Sequence, residues 1–152
     1  MDLRRKQLKN RLMYFLETED ECIRAQLETS NIADGIVECL LDGTVYEIVK
    51  SLKDLQWLRE AEIVNNRNSQ LASITDTNDV EEITKNLDLK ILETLDEIVK
   101  EQQSTLSCTG MPMFKVSDQA NDIKLQMAII NFILSLSDVY ANDNDGSDSV
   151  VK

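Results

Sequence analysis

Acidic side chains are the chemistry-bearing groups this sequence holds in quantity: 28 Asp and Glu stand against 16 Lys and Arg, with no histidine. Pairs such as Glu81/Glu82 and Glu93/Glu97, with Asp96 beside them, would serve general acid–base or dimetal chemistry if they faced inward. They lie mostly off the apolar stripe of their helix, so they read as a solvated face. Lacking histidine, the chain cannot build a His-based triad, imidazole acid–base catalysis or a His-containing zinc site. NDNDG at 142–146 has the flavour of a calcium loop but lacks the twelfth-position Glu and the flanking helices of an EF-hand. Cys22, Cys39 and Cys108 form no CxxC and have no basic constellation to lower a thiol pKa, so they read as reduced, partly buried thiols of the cytosol or nucleus. No catalytic residue, cofactor site or metal site is expected.

The positive charge is concentrated at the N-terminus. Arg4, Arg5, Lys6, Lys9 and Arg11 lie within RRKQLKNR, which reads as a candidate localisation signal or as the wet side of a first helix. A formal charge of −12 disfavours generic nucleic-acid binding, because phosphate repels it. No 18-residue apolar run marks a membrane span, and MDLRRKQLKNRLMYFL lacks the long apolar core of a signal peptide.

Only 4 Gly and 1 Pro punctuate 152 residues, which favours long helices over a turn-rich β protein. Leu8, Leu12, Phe15 and Leu16 mark a first helix. Thr18 with Glu21 fits a capping box for a second, and Ser30-Asn31 a cap for a third that carries Ile32, Ile36 and Leu40. Gly35 within that third helix suggests close approach of a neighbouring helix. In LLDGTVYEIV, Asp-Gly resembles a hairpin turn. The flanking apolar rows instead repeat every three to four residues, so a tight helix–helix corner is expected, with Gly43 ending one helix and Thr44 and Glu47 capping the next.

That next helix runs to about residue 73 and carries two apolar stripes. One holds Val45, Ile48, Val49, Leu52, Leu55 and Ile63; the other holds Tyr46, Trp57, Ala61, Val64 and Leu71. Two stripes require two neighbours: this is the central helix of a bundle, or one of its faces belongs to a partner. After a polar break capped at Asn78 or Asp79, an eleven-residue repeat runs through Val80, Thr84, Leu87, Ile91, Leu95, Ile98, Gln102, Leu106 and Thr109, widened by Ile83, Leu92 and Val99. Gly110 and Pro112 stop it, and MPMFKV reads as an extended strap near 111–116. Ser117 or Asp118 caps a last helix, apolar almost all round at MAIINFILSL, 127–136.

Three blocks, LLDGTVYEIVKSLKDLQWL at 40–58, DLKILETLDEIVKEQQSTL at 88–106 and MFKVSDQANDIKLQMAIINFI at 113–133, together resemble the DiGeorge syndrome critical region protein family, also called the gonadal protein family. The likeness is ordered and covers most of residues 8–136. SQLASITDTNDVEEI, at 69–83, is a short acidic stretch where vertebrate-type members carry a longer, more basic, Gln-rich helix pair. The resemblance implies a small, coiled-coil-prone helical protein without known catalysis. It also implies a role in development, including neural-crest cell migration, and a nuclear location.

The expected fold is all-α: an elongated helical bundle with coiled-coil-like long helices, a single domain over 1–137 and a disordered acidic tail over 138–152. The expected function is non-enzymatic protein–protein interaction, as adaptor or regulator, with a small ligand-binding or catalytic bundle as the alternative. The expected interface holds Tyr46, Trp57, Val64, Leu71, Leu87, Ile91 and Leu95. The partner is a protein of unknown identity, a homodimer being one form; neither membrane nor nucleic acid is an expected partner. The nucleus is the expected location and the cytoplasm the alternative.

Overall fold

The apolar spacing of each segment accounts for the helices seen in the computed structural model, which describes residues 2–28, 30–74 and 79–141. The α-helices among the described residues, in chain order, are α1 Asp2–Thr18, α2 Glu21–Leu27, α3 Ser30–Leu40, α4 Thr44–Ala72, α5 Val80–Cys108 and α6 Ala120–Leu134, with a short further turn after α6. There is no β-strand among the described residues. The chain divides into two units: Met1–Lys50 with Gln103–Lys152, and Ser51–Gln102.

The first unit holds nearly all the buried apolar side chains. Leu8, Leu12 and Leu16, one turn apart, form the inner row of α1; Ile23 and Leu27 do the same for α2, and Ile36, Val37 and Leu40 for α3. Leu125, Ile129, Ile130, Phe132 and Ile133 make α6 the central core helix, and Phe15 packs against Phe132 with ring centroids 5.3 Å apart. Averaged over its length, Ala120–Ala141 is apolar enough to cross a membrane, an exception to the expectation that no such segment exists. Half of that window is buried in the fold, as in the core helix of a globular domain.

The break after α1 falls where the sequence places it, but its capping group differs. Thr18 ends α1 and donates its hydroxyl to Phe15 O. Asp20 is the N-cap of α2, its carboxylate accepting from Cys22 N–H at 3.3 Å. The same carboxylate accepts from Lys124 Nζ at 2.9 Å, which holds the Asp20 pKa below its ordinary value, helped by the Cys22 N–H.

At 40–49 the helix corner replaces the hairpin. Gly43 takes φ +83°, a conformation that L side chains rarely adopt. The cap again moves by two residues: the Asp42 carboxylate accepts from Thr44 N–H at 2.9 Å, and Thr44 is already the first helical residue. Close approach at Gly35 is real, but the neighbour is the strap and not a helix. A Cβ there would stand 2.8 Å from Pro112 Cγ.

The strap after Gly110 is pinned by polar and apolar contacts. Met111 and Phe114 are buried, whereas Val116 is exposed. Met113 adopts φ +71°. Gln103, 2% exposed, donates its amide to Ser117 O and to Gln126 Oε1, and its carbonyl accepts from Ser117 N–H at 3.1 Å. Gln126, 3% exposed, donates to Met113 O and Lys115 O. Two glutamines thus replace the secondary-structure partners that extended backbone lacks. Ser117 does not cap α6 directly; Gln119 is the N-cap, and the Ser117 hydroxyl accepts from Gln119 N–H and donates to Asp122.

The expected tail boundary at Asp138 shifts. Residues 137–141 form a further helical turn, and Tyr140, 6% exposed, stacks on Tyr46 with centroids 4.4 Å apart. Its hydroxyl donates to Leu40 O at 2.6 Å, and Arg4 lies over its ring. Arg11 holds Asp138, keeping that carboxyl below its ordinary pKa. The rest of the tail, including NDNDG, lies outside the described residues, as does the cap candidate Asn78.

Candidate interaction surface

Helix α4 from Ser51 and helix α5 as far as Gln102 form the second unit, an antiparallel pair with a narrow seam. The seam is fixed by cross-pairs. Gln102 donates to Gln56 Oε1 at 2.7 Å, Arg59 pairs with Glu101 at 2.7 Å, and Arg67 pairs with Asp88 at 2.7 Å. Exposed ion pairs of this kind add little stability and mainly set register. The eleven-residue stripe of α5 faces inward: Thr84, Leu87, Ile91, Leu95 and Gln102 are half-buried and Ile98 is buried, while Val80 at the helix start is exposed. Ile98 is the one buried apolar side chain among the described residues of this unit.

What the pair leaves in water defines the candidate site. Trp57 is 69% exposed, Val64 51% and Leu92 58%. Gln56–Gln102 and Arg67–Asp88 together bring position 57 level with 99, and 64 level with 92. At 100° per residue, Trp57, Val64 and Leu71 project from one side of α4, and Leu92, Leu95 and Val99 from one side of α5. The Arg67–Asp88 bridge shows that these are the same side of the pair: Arg67 is one turn from Val64 and Leu71, and Asp88 one turn from Leu92. Two seven-residue steps, 57 to 64 and 92 to 99, thus place large apolar groups on one flank, interleaved with charged residues: Glu60 and Arg67 on α4, and Lys85, Asp88 and Asp96 on α5.

The opposite flank carries Leu55, 50% exposed, and a polar groove. There Glu62, Asn66, Gln70, Lys90 and Thr94 rim a groove of about 160 Å³ floored by Ile63, Leu87 and Ile91, and Arg67, at the seam between the two flanks, also lines it. Arg59–Glu101 lies on this side.

The expected interface residues therefore separate. Trp57 and Val64 lie exposed on the flank, Leu71 is half-buried on the same side, and Leu95 is half-buried where the flank meets the seam. Leu87 and Ile91 sit in the seam. Tyr46 is a correction: it is buried in the other unit, stacked on Tyr140, because its position on the second stripe faces the last helical turn of the chain. Leu92 and Val99, expected only to widen the α5 stripe, belong to the flank. Their seven-residue spacing, matching 57 to 64, was the available signal. Leu58, also exposed, points away from the flank.

The basic residues of α1 are largely engaged with acids of the same unit: Arg5 with Asp2 and Glu38, Lys9 with Asp34 and Arg11 with Asp138. Glu38 raises the Arg5 pKa by hydrogen bond and charge. Arg4 donates to Leu41 O, and Lys6 is exposed. All three cysteines are free; Cys22 and Cys108 are exposed, contrary to partial burial, and Cys39 is half-buried. Burial, then Asp42 and Glu38, push the Cys39 thiol above its ordinary pKa, away from the reactive thiolate. Among the described residues no group of three or more His, Cys, Asp or Glu is placed to hold a metal.

Comparison with known proteins adds a family relationship. The family model described as DiGeorge syndrome critical region 6 (DGCR6) protein matches residues 66–145. "Gonadal protein gdl" of Drosophila melanogaster is 30% identical over 156 aligned positions, spanning 84% of this chain and 80% of that protein. No solved structure matches.

Proposed function

This chain belongs to the DiGeorge syndrome critical region 6 (DGCR6) protein family, and from that premise we propose that it is a non-enzymatic helical interaction protein whose Ser51–Gln102 unit carries the binding surface. The observation that carries this reading is this flank, with Trp57, Val64 and Leu92 all more than half exposed. Large apolar and aromatic groups left in register on one face are the anchors from which protein interfaces are built. The buried polar residues support the same reading. Gln103 and Gln126 are the buried polar side chains among the described residues, and both bond to each other and to strap backbone. A catalytic or ligand-binding bundle needs a cluster of inward polar groups left free for a substrate; among the described residues Arg24 Nε is the buried side-chain polar atom without a hydrogen bond, and a single such atom is not a cluster.

In this reading the protein is an adaptor or regulator in development, with the family's link to neural-crest cell migration as context. It acts in the nucleus, with the cytoplasm as the alternative. The internal pairing of Arg5, Lys9 and Arg11 gives α1 a structural use beside any role in localisation.

The test is affinity capture from cell extract with the full chain as bait, comparing wild type, Trp57→Glu and the polar-groove control Asn66→Asp. Both substituted positions are exposed, so the fold is retained. Captured proteins are expected to be lost with Trp57→Glu and kept with Asn66→Asp. Equal capture by all three would remove the flank from the function.

A further inference from the structure

A groove in the Met1–Lys50 and Gln103–Lys152 unit combines an apolar floor with a rim of unbalanced negative charge. We infer that this groove, between α2 and α6, seats a basic amphipathic helix of a partner protein. The inference goes beyond the reading above: it concerns another surface, and either can fail alone.

The floor belongs to the core helix itself. Most of α6 is covered by the fold, yet one strip stays open. Ala120, Lys124, Met127 and Asn131 are exposed, while Leu125, Ile129, Phe132 and Ile133 are buried. Steps of four, three and four residues keep the open positions on one face. Beside them Ile23 of α2 and Ala128 are buried and Ile123 is half-buried, so the strip and α2 bound a groove of about 600 Å³. Met127 lies 55% exposed within it. A thioether side chain is flexible and polarizable, the kind that adapts to an apolar partner. From Ala120 to Asn131 the groove follows α6 for about 16 Å, the length of three helical turns. A helix with an apolar row at three- and four-residue steps fits a strip of that length.

Charge sets the other face of the occupant. Glu19 and Asp118 line the groove, and Glu17, Asp20 and Glu21 flank Glu19 in the chain. Lys124 is the cation of the lining; it bonds Asp20 at 2.9 Å and feels the charge of Glu19 at longer range. Arg24 of α2 donates to Glu19 O and is not part of the lining. Three carboxylates, of Glu19, Asp20 and Asp118, against the single ammonium of Lys124 leave the rim negative. Such a rim repels the chain's own C-terminal segment 142–152, which carries Asp143, Asp145 and Asp148 against Lys152. A partner helix with Lys or Arg beside its apolar row is instead attracted at the rim and buried at the floor.

The test is binding of a fluorescein-labelled model peptide to the full chain, read by anisotropy. The peptide has about 14 residues, with Leu on one helix face and Lys on the other. Wild type is expected to bind with a Kd on the order of 10 µM in about 20 mM salt. A scrambled peptide of the same composition presents no apolar row and is expected to bind about tenfold more weakly. Met127→Glu adds negative charge yet is expected to weaken the ordered peptide about tenfold, because it breaks the floor. Asp118→Lys is expected to weaken it about fivefold and to flatten its salt dependence. Positions 118 and 127 are both exposed, and circular dichroism verifies the fold. Absence of binding up to about 1 mM overturns the inference. So does equal binding of the scrambled peptide, or by Met127→Glu, which would mark mere attraction of a cation to an acidic protein. Unchanged binding by Asp118→Lys overturns it as well. Loss with Trp57→Glu but not with Met127→Glu overturns this groove and leaves the flank reading standing.

Discussion

Replacing Gln103 with Ala lowers the free energy of unfolding by about 3–5 kcal/mol. Gln103 makes three hydrogen bonds at a site closed to water: two donated by its amide, to Ser117 O and Gln126 Oε1, and one accepted from Ser117 N–H. Alanine leaves those partners buried and unsatisfied, at about 1–3 kcal/mol for each group left without a bond. Denaturant unfolding of Gln103→Ala and Gln103→Met separates the causes. Methionine keeps the volume, so a loss of similar size in both variants assigns the effect to hydrogen bonding. A loss confined to alanine assigns it to packing.

Tyr140→Ala is expected to cost about 3–5 kcal/mol, a large share of a total stability of about 5–15 kcal/mol. The ring stacks on Tyr46, lies beside Gly43 and sits under Arg4. Tyr140→Phe keeps the stack and removes only the bond to Leu40 O, at about 1–2 kcal/mol. Thermal unfolding ranks the two. Equal, negligible shifts would mean that the last helical turn is not fastened to the helix corner.

Helix content and most helix limits were legible because apolar spacing carries them directly. The break near residue 19, the corner at Gly43 and the stop at Gly110 all follow from local signals. What was misplaced is the capping chemistry. Asp20 and Asp42 accept from the N–H two residues on, and the Thr–x–x–Glu pattern that drew attention to Thr18 and Thr44 is satisfied by neither as the cap. An Asp beside a Thr offers the stronger, charged acceptor. The Gln103–Gln126 pair was invisible for a different reason. It joins positions 23 residues apart, and its value depends on a strap whose unpaired backbone no periodicity reports.

The candidate surface was half legible. Two stripes on α4 mark two apolar faces, but a stripe does not say where along a 29-residue helix one neighbour ends. Tyr46 and Trp57 share a stripe, yet one is 6% and the other 69% exposed: the ring of Tyr140 covers the first, and the stripe itself does not record that. The flank needed the register of α4 against α5, which Arg67–Asp88 and Gln56–Gln102 supply and sequence spacing alone does not.

Trp57 is the chain's single tryptophan, so its fluorescence reports the flank with no background from another indole. The decisive measurement is acrylamide quenching of Trp57 in the full chain, alone at high dilution and with the captured partner added, the partner's own emission being subtracted. The account predicts quenching close to that of free indole for the chain alone, falling as association covers the ring, with no such fall in Val64→Glu. Strong protection at high dilution, or quenching that the added partner leaves unchanged, would contradict an open flank that a second protein surface covers.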